Sequence, residues 1–326
     1  MATKQALLAT AAAAFVLAGS VATVAAEQWD MPLAYAPTNF HSENAAQFAD
    51  CVTGATGGAL KIVTHPNGSL FAGSDIKRAV QTGQTSIGER LLSAHANADP
   101  IFAFDSVPFL ASSFDDAEKL WAAARPEIEN LLESQSLVFL YSVPWPPQGL
   151  YTRRPVASAA DLKGVKFRAY NAATARIAEL AGMQPIQLET AEVTQALATG
   201  VVESFIASAA VGVDLKVWEH LRYFYEISPY VPRNTVFANE DSYRALPEEH
   251  RQAVQTCAAE AATRGLAMAK DYRGTVQTLI DNGVAIEKPS AELVNELRRY
   301  GEIMTREWLE STGSRGQAIV DAYRAK

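Results

Sequence analysis

Two periods of apolar spacing alternate along most of the chain, and together they predict an α/β protein. Short β-rich runs predict strands over residues 29–35, 60–64, 86–92, 137–143, 165–169, 185–188, 201–207, 222–227, 235–238 and 284–286. Helical spacing fills the gaps between them. Ser42, with Glu43 set against the helix dipole, caps a helix that runs to about Thr56 and stops at Gly57-Gly58. Ser74-Asp75 opens a second helix, closed by Gly83. Residues 114–135 form a third, with a kink or break expected at Pro126. Residues 172–181 end at Gly182, and Thr190 caps a helix over 191–199 closed by Gly200. A helix over 213–221 follows, then an alanine-rich stretch over 248–281 with bends expected at Gly265 and Gly274. Ser290 caps a charged helix, and the C-terminus is helical.

Two proline clusters interrupt this order, at residues 144–149 and 229–233. Each ends a run of one lobe and begins a run of another. The expected architecture is two lobes around a central cleft, joined by hinge strands. Lobe I covers 27–147, with 233–265 returning to it; lobe II covers 148–232, with 266–326 packing on it.

The leading residues have a different pattern. Lys4 precedes an apolar run over 6–18, and Val24-Ala25-Ala26 supplies small residues. This predicts a secretory signal peptide over 1–26, cleaved between Ala26 and Glu27. The run is shorter than the ~20 residues of a spanning helix. Export to the periplasm follows as an expectation.

Composition narrows the function. The formal charge is −8 and 48% of residues are apolar. Basic residues are scattered rather than striped, so nucleic acid is not an expected partner. Cys51 and Cys257 both lie on apolar helix faces. A disulfide and two buried thiols are both open readings, because pairing geometry is not legible in sequence. His41, His65 and His95 show no ligand spacing with them, so neither a metal nor another cofactor is expected.

Chemistry concentrates in the run DLKGVKFRAYNAAT, residues 161–174. Arg168 stands near the end of a strand, just before a helix opens. Ligands on α/β sheets collect at strand carboxyl ends, and a guanidinium there can grip a carboxylate through two parallel hydrogen bonds. A structural ion pair with an acid of the other lobe is the alternative. Asn171 could donate to the same anion or cap its own helix. Trp145 and Gln148 sit in the first proline cluster, where a rigid backbone would orient them toward the cleft mouth; Trp145 could equally fill the hinge core. Glu89-Arg90 face the cleft or form a solvated pair. Tyr35, Asn39 and His41 lie near the carboxyl end of the first strand. No GxSxG, HExxH, glycine-rich phosphate loop or CxxC is present in the sequence, which argues against an enzyme.

The runs GALKIVTHPNGSLF, DIKRAVQTGQTSIGE, DSVPFL, DLKGVKFRAYN and QALATGVVES, in this order and spacing, resemble the extracytoplasmic solute-binding proteins of TRAP transporters, dicarboxylate-binding type. The resemblance covers the chain after residue 26. It implies two α/β lobes closing on a ligand, a long helix spanning both, and membrane permease subunits as partners. It also implies that Arg168 holds the ligand carboxylate. Where relatives carry an acid-asparagine pair after GVVDG, this chain has Ile206 and Ala207, leaving Ser208 as the nearby polar candidate. Thr194 replaces a common aromatic, and a second basic position of sugar-acid binders falls near Gln148. A cleft stripped of polar groups penalises hydroxyl-rich ligands, while Trp145, Phe205 and Tyr170 favour an apolar body. The expected ligand is therefore a small organic acid, specifically a monocarboxylate such as a 2-oxo or aromatic acid. A C4-dicarboxylate or sugar-acid binder, and a ligand-sensing periplasmic subunit, are the rival readings.

Overall fold

Strand β1 (Glu27–Pro32) and helix α1 (Phe40–Ala55) are the first elements of a computed structural model that describes residues 26–325. The expected signal peptide therefore falls almost wholly outside the described residues. Alternation in β1 puts Trp29 and Met31 into the core. The α1 cap is Asn39, whose side chain accepts from His41 N at 3.0 Å. Ser42, the expected cap, lies inside the first turn and donates to the Tyr35 carbonyl. The cap sits three residues early because Asn39 is where the backbone is still extended.

Strand β2 (Leu60–His65) pairs in parallel with β1. Helix α2 (Ile76–Gln81), strand β3 (Ile87–Leu91), helix α3 (Phe114–Glu133) and strand β4 (Leu137–Pro144) complete the first run. Helix α3 passes through Pro126 without ending, so the expected break does not occur. Strand β5 (Gly149–Thr152) follows the first proline cluster. Next come β6 (Lys166–Ala169), α4 (Ala172–Leu180), β7 (Gln184–Gln187), α5 (Val193–Ala198), β8 (Ser204–Ala207), α6 (Ala209–Asp214) and β9 (Tyr223–Tyr225). The helix expected over 213–221 thus starts earlier and ends at Asp214, with a left-handed Lys216 behind it. The second cluster leads into β10 (Arg233–Asn239). Helices α7 (Glu240–Ala245), α8 (Glu248–Lys270) and α9 (Arg273–Asp281), strand β11 (Ala285–Glu287), and helices α10 (Ala291–Thr312) and α11 (Ser314–Arg324) close the chain.

Three sheets result: β1-β2, then β3-β10-β4, and a six-stranded sheet ordered β11-β9-β5-β8-β6-β7. Strand β10 lies antiparallel between β3 and β4. The crossings β4→β5 and β9→β10 run side by side between the two larger sheets. Trp145 N donates to Pro232 O at 2.7 Å, and Ser228 N to Gln148 O at 2.9 Å. The two-lobed architecture therefore turns on a hydrogen-bonded pair of crossings.

Strand β5 has no counterpart in the sequence pattern. It pairs antiparallel with both β8 and β9. Its first residue is glycine because a Cβ there would stand 2.3 Å from the Phe224 ring.

The stretch expected as one long helix is two. It breaks at Asp271-Tyr272, away from both Gly265 and Gly274. Helix α8 packs on α1 and β4, and α9 on α6 and β11, so the pair still spans both lobes. Gly265 serves close packing instead: a Cβ would stand 2.4 Å from Val143. The C-terminal helices also divide. Helix α10 packs on α4, whereas α11 packs on α3, with Ile319 and Val320 in a cluster with Leu120 and Trp121. Residues 314–324 thus lie against a helix of the first run rather than on lobe II.

Cys51 and Cys257 form a disulfide between α1 and α8. Among the described residues no helix is long and apolar enough to cross a membrane.

Candidate functional site

A small cavity lies between the two larger sheets, beside the crossings. Strand β6 and the segment after it bring Arg168 and Tyr170 to it, and β3 brings Arg90. The segment after β7 contributes Glu189 and Thr190; the first crossing contributes Trp145 and Gln148. Tyr35, Leu91, Ala207, Val211 and Pro232 complete the wall.

Three arginines are almost fully buried: Arg90, Arg168 and Arg233. Arg233 is paired with Glu118 at 2.5 Å and Arg90 with Glu189 at 2.8 Å. Arg168 has no such partner among the described residues. Its Nε donates to the Leu188 carbonyl at 3.0 Å and a terminal nitrogen donates to Thr190 Oγ1 at 3.2 Å. The guanidinium carbon sits 5.0 Å from the centre of the Tyr170 ring. Burial pushes the Arg168 pKa down. A guanidinium carries five N–H donors, so after these two bonds three remain. Neutral acceptors and an aromatic face therefore hold a cation in place without neutralising it, which is the arrangement a carboxylate completes.

Thr190 reaches Arg168 because the local structure differs from expectation. The helix over 191–199 does not begin at a Thr190 cap. Glu192 folds back to accept from Glu189 N at 2.8 Å, a short 3-10 turn covers Thr190–Glu192, and α5 starts only at Val193.

Trp145 both walls the cavity and anchors the hinge. Its indole N–H donates to Asn234 Oδ1 at 2.8 Å, and its ring meets Tyr35 edge-on at 4.9 Å and Phe40 at 5.3 Å. Tyr35 is pushed up to about 12 by burial, so it stays a neutral phenol. Tyr170 shares a hydrogen bond with Tyr230 at 3.0 Å and is also pushed up by burial. Gln148 donates to the Pro146 carbonyl at 2.7 Å.

Of the ten residues singled out by sequence, Tyr35, Arg90, Trp145, Gln148, Arg168 and Tyr170 meet at this cavity. Four are placed elsewhere. Glu89 lies beneath the wall, accepting from Asn234 Nδ2 at 3.2 Å with His41 Nδ1 at 3.1 Å. Period-two alternation turns it away from the side that Arg90 faces. Asn171 caps α4 and donates to Ser93 Oγ at 3.0 Å, and Ser208 caps α6. Asn39 caps α1 and donates to Asp214 Oδ2 at 2.6 Å. Sequence reasoning missed Glu189 as a cavity residue and read Thr190 only as a cap. Their position just beyond the carboxyl end of β7 is the signal that could have found them.

The Asn39–Asp214 contact joins α1 to α6, beside the cleft. Burial lifts Asp214 to about 6, with Asn39 opposing and Glu43 adding to the shift. A carboxyl raised in the folded state binds its proton more tightly there. Its stabilisation is complete below the unfolded value and is lost as pH rises through the folded one. Asp214→Asn should therefore gain in melting temperature over the parent as pH rises from about 4 to about 7. Thermal melts across that window check this; a constant offset between the two proteins would refute it.

Residues 34–311 match the family model for bacterial extracellular solute-binding protein, family 7. The fold is similar to a marine metagenome TRAP solute-binding protein specific for pyroglutamate, solved with co-purified pyroglutamate. The two are 48% identical with a TM-score of 0.91, over 92% of this chain and 99% of that one. Two Bordetella pertussis extracytoplasmic solute receptors that bind pyroglutamic acid are also similar. One is 44% identical with a TM-score of 0.91, the other 42% with 0.90, each over 92% of this chain and 100% of its own.

Proposed function

The chain belongs to the bacterial extracellular solute-binding proteins of family 7, as a TRAP-type receptor rather than an enzyme, and we propose that its ligand is a compact cyclic monocarboxylate of the pyroglutamate kind. The observation that carries this is the state of Arg168: a buried cation in a small cavity, held by neutral groups. Charge sets the ligand's valence. Arg90 and Glu189 cancel each other across 2.8 Å, leaving Arg168 as the net charge of the wall. One carboxylate balances that site; a dicarboxylate would bring a second, uncompensated charge into it. Tyr35, Trp145 and Tyr170 offer flat faces to a ring, and Ala207 and Val211 offer little to a hydroxyl-rich chain.

Binding begins with the carboxylate replacing water at Arg168. The lobes, taken as 27–147 with the returning 233–265 and as 148–232, then close about the paired crossings. Closure excludes water and strengthens the charge-assisted bonds. The loaded receptor, exported with removal of its leader near Ala26, would pass the acid to membrane permease subunits.

A ligand panel tests this by thermal shift and calorimetry. Pyroglutamate, a 2-oxo acid, benzoate, succinate and glucuronate are each titrated. At one common concentration pyroglutamate should give the largest stabilisation, about 2.7 kcal/mol where that concentration is a hundredfold above its Kd. Stabilisation by succinate or glucuronate alone would exclude the reading.

A further inference from the structure

We propose that Arg90 and Glu189 form a donor–acceptor fork that reads a cyclic secondary amide in the ligand: Glu189 accepts the ring N–H and Arg90 donates to the neighbouring carbonyl. This rests on the carboxylate reading of Arg168 and adds what the opposite edge of the ligand must be.

The pair spans the cavity's two sides. Arg90 comes from β3, in the three-stranded sheet, and Glu189 follows β7, at the end of the six-stranded sheet. They meet at 2.8 Å and line the same cavity as Arg168. Arg90 lines the cavity and bonds Glu189 through one terminal nitrogen, so its guanidinium keeps further N–H donors. A ligand carbonyl beside the pair would accept from one of those remaining donors. Glu189 uses one lone pair of Oε1 on Arg90, and a carboxylate has further lone pairs to offer.

The pair is also fixed in position. A Cβ on Gly73 would stand 2.4 Å from Glu189 Oε2 and 2.6 Å from a terminal nitrogen of Arg90. Only glycine lets that loop lie against both groups. A donor and an acceptor held side by side match the carbonyl and N–H of a cis amide, which a lactam ring enforces. A hydroxyl is matched less well, because it can turn to serve either group. A ring ammonium would satisfy Glu189, but it would face the positive Arg90 and offer it no acceptor.

The test compares three acids of one ring size by calorimetry on the purified protein. Pyroglutamate has the ring N–H and carbonyl. 5-Oxotetrahydrofuran-2-carboxylate, its lactone, replaces only the N–H with oxygen. Cyclopentanecarboxylate has neither. The lactone should bind at least about 100-fold more weakly than pyroglutamate, since its ring oxygen faces the Glu189 carboxylate, and the carbocycle should bind more weakly than pyroglutamate. In Glu189→Gln an amide can donate to that ring oxygen, so the lactam-to-lactone ratio should shrink to about 10-fold or less. The wild-type comparison needs no variant to fold. Lactam and lactone bound within about threefold of each other would overturn the fork while leaving the carboxylate reading intact. An unchanged ratio in Glu189→Gln would overturn it equally. Binding of none of the three would instead remove the reading on which it rests.

Discussion

Replacing Arg168 with alanine should weaken pyroglutamate binding at least about 30-fold while leaving the ligand-free protein as stable as the parent. The two halves of this expectation have one cause. In the complex, truncation strands a buried carboxylate, a loss of about 2–5 kcal/mol. In the free protein, truncation removes two hydrogen bonds, to Leu188 O and Thr190 Oγ1, together with an unneutralised buried cation. The second change offsets the first, because desolvation of the guanidinium is relieved. Arg233 gives the contrast. Its ion pair to Glu118 is part of the fold, so truncating it would strand an acid and destabilise the protein itself. Arg168→Lys should fall between parent and alanine. An ammonium restores charge, but it cannot hold Leu188 O, Thr190 and two carboxylate oxygens in one plane. Calorimetry and a thermal melt of each variant decide. Unchanged affinity in Arg168→Ala would refute the anchor, and a collapsed ligand-free melt would show that Arg168 is structural.

Arg168 was legible because its position depends only on local signals, a strand followed by a helix start. Glu189 and Thr190 were not, because a threonine before a helical run is equally good as a cap. Which role it takes depended on Glu192 folding back onto Glu189 N, a choice between two sequence-compatible turns. Glu89 and Arg90 are adjacent, so one of them had to face away; which one depended on the register of β3 against β10. The helix break at Asp271-Tyr272 carries no glycine or proline signal. It follows from α8 and α9 docking on two different cores, information that lies outside the segment. Strand β5 escaped notice for a related reason. Four residues behind a proline cluster show no periodicity, and their strand character comes from β8 and β9 on either side. Fold class and the place of Arg168 at a strand end were thus local properties, while the remainder of the cavity was decided by contacts between segments distant in sequence.

Loss of the Cys51–Cys257 bridge should have the opposite signature, reducing stability with affinity preserved. The bridge spans a sequence separation of 206, so both crossings and the whole six-stranded sheet except β11 lie inside the loop it closes. Cross-linking so long a loop constrains the unfolded chain strongly, and removing a native bridge typically costs about 2–5 kcal/mol. Folded-state packing adds a smaller contribution. Cys257 is buried in the cluster of Phe48, Val52 and Val254, and Cys51 packs against its edge. Cys51→Ser with Cys257→Ala keeps that buried position apolar, so the variant reads the cross-link rather than a new unsatisfied hydroxyl. Neither cysteine lines the cavity, and neither belongs to a crossing. The double variant should therefore melt several degrees lower, at about 2–4 °C per kcal/mol, with pyroglutamate affinity within about twofold of the parent. Reduced wild-type protein should match it. A melt equal to the oxidised parent would show that the bridge adds nothing to the fold. A tenfold or larger loss of affinity would show that α1 and α8 position the cavity.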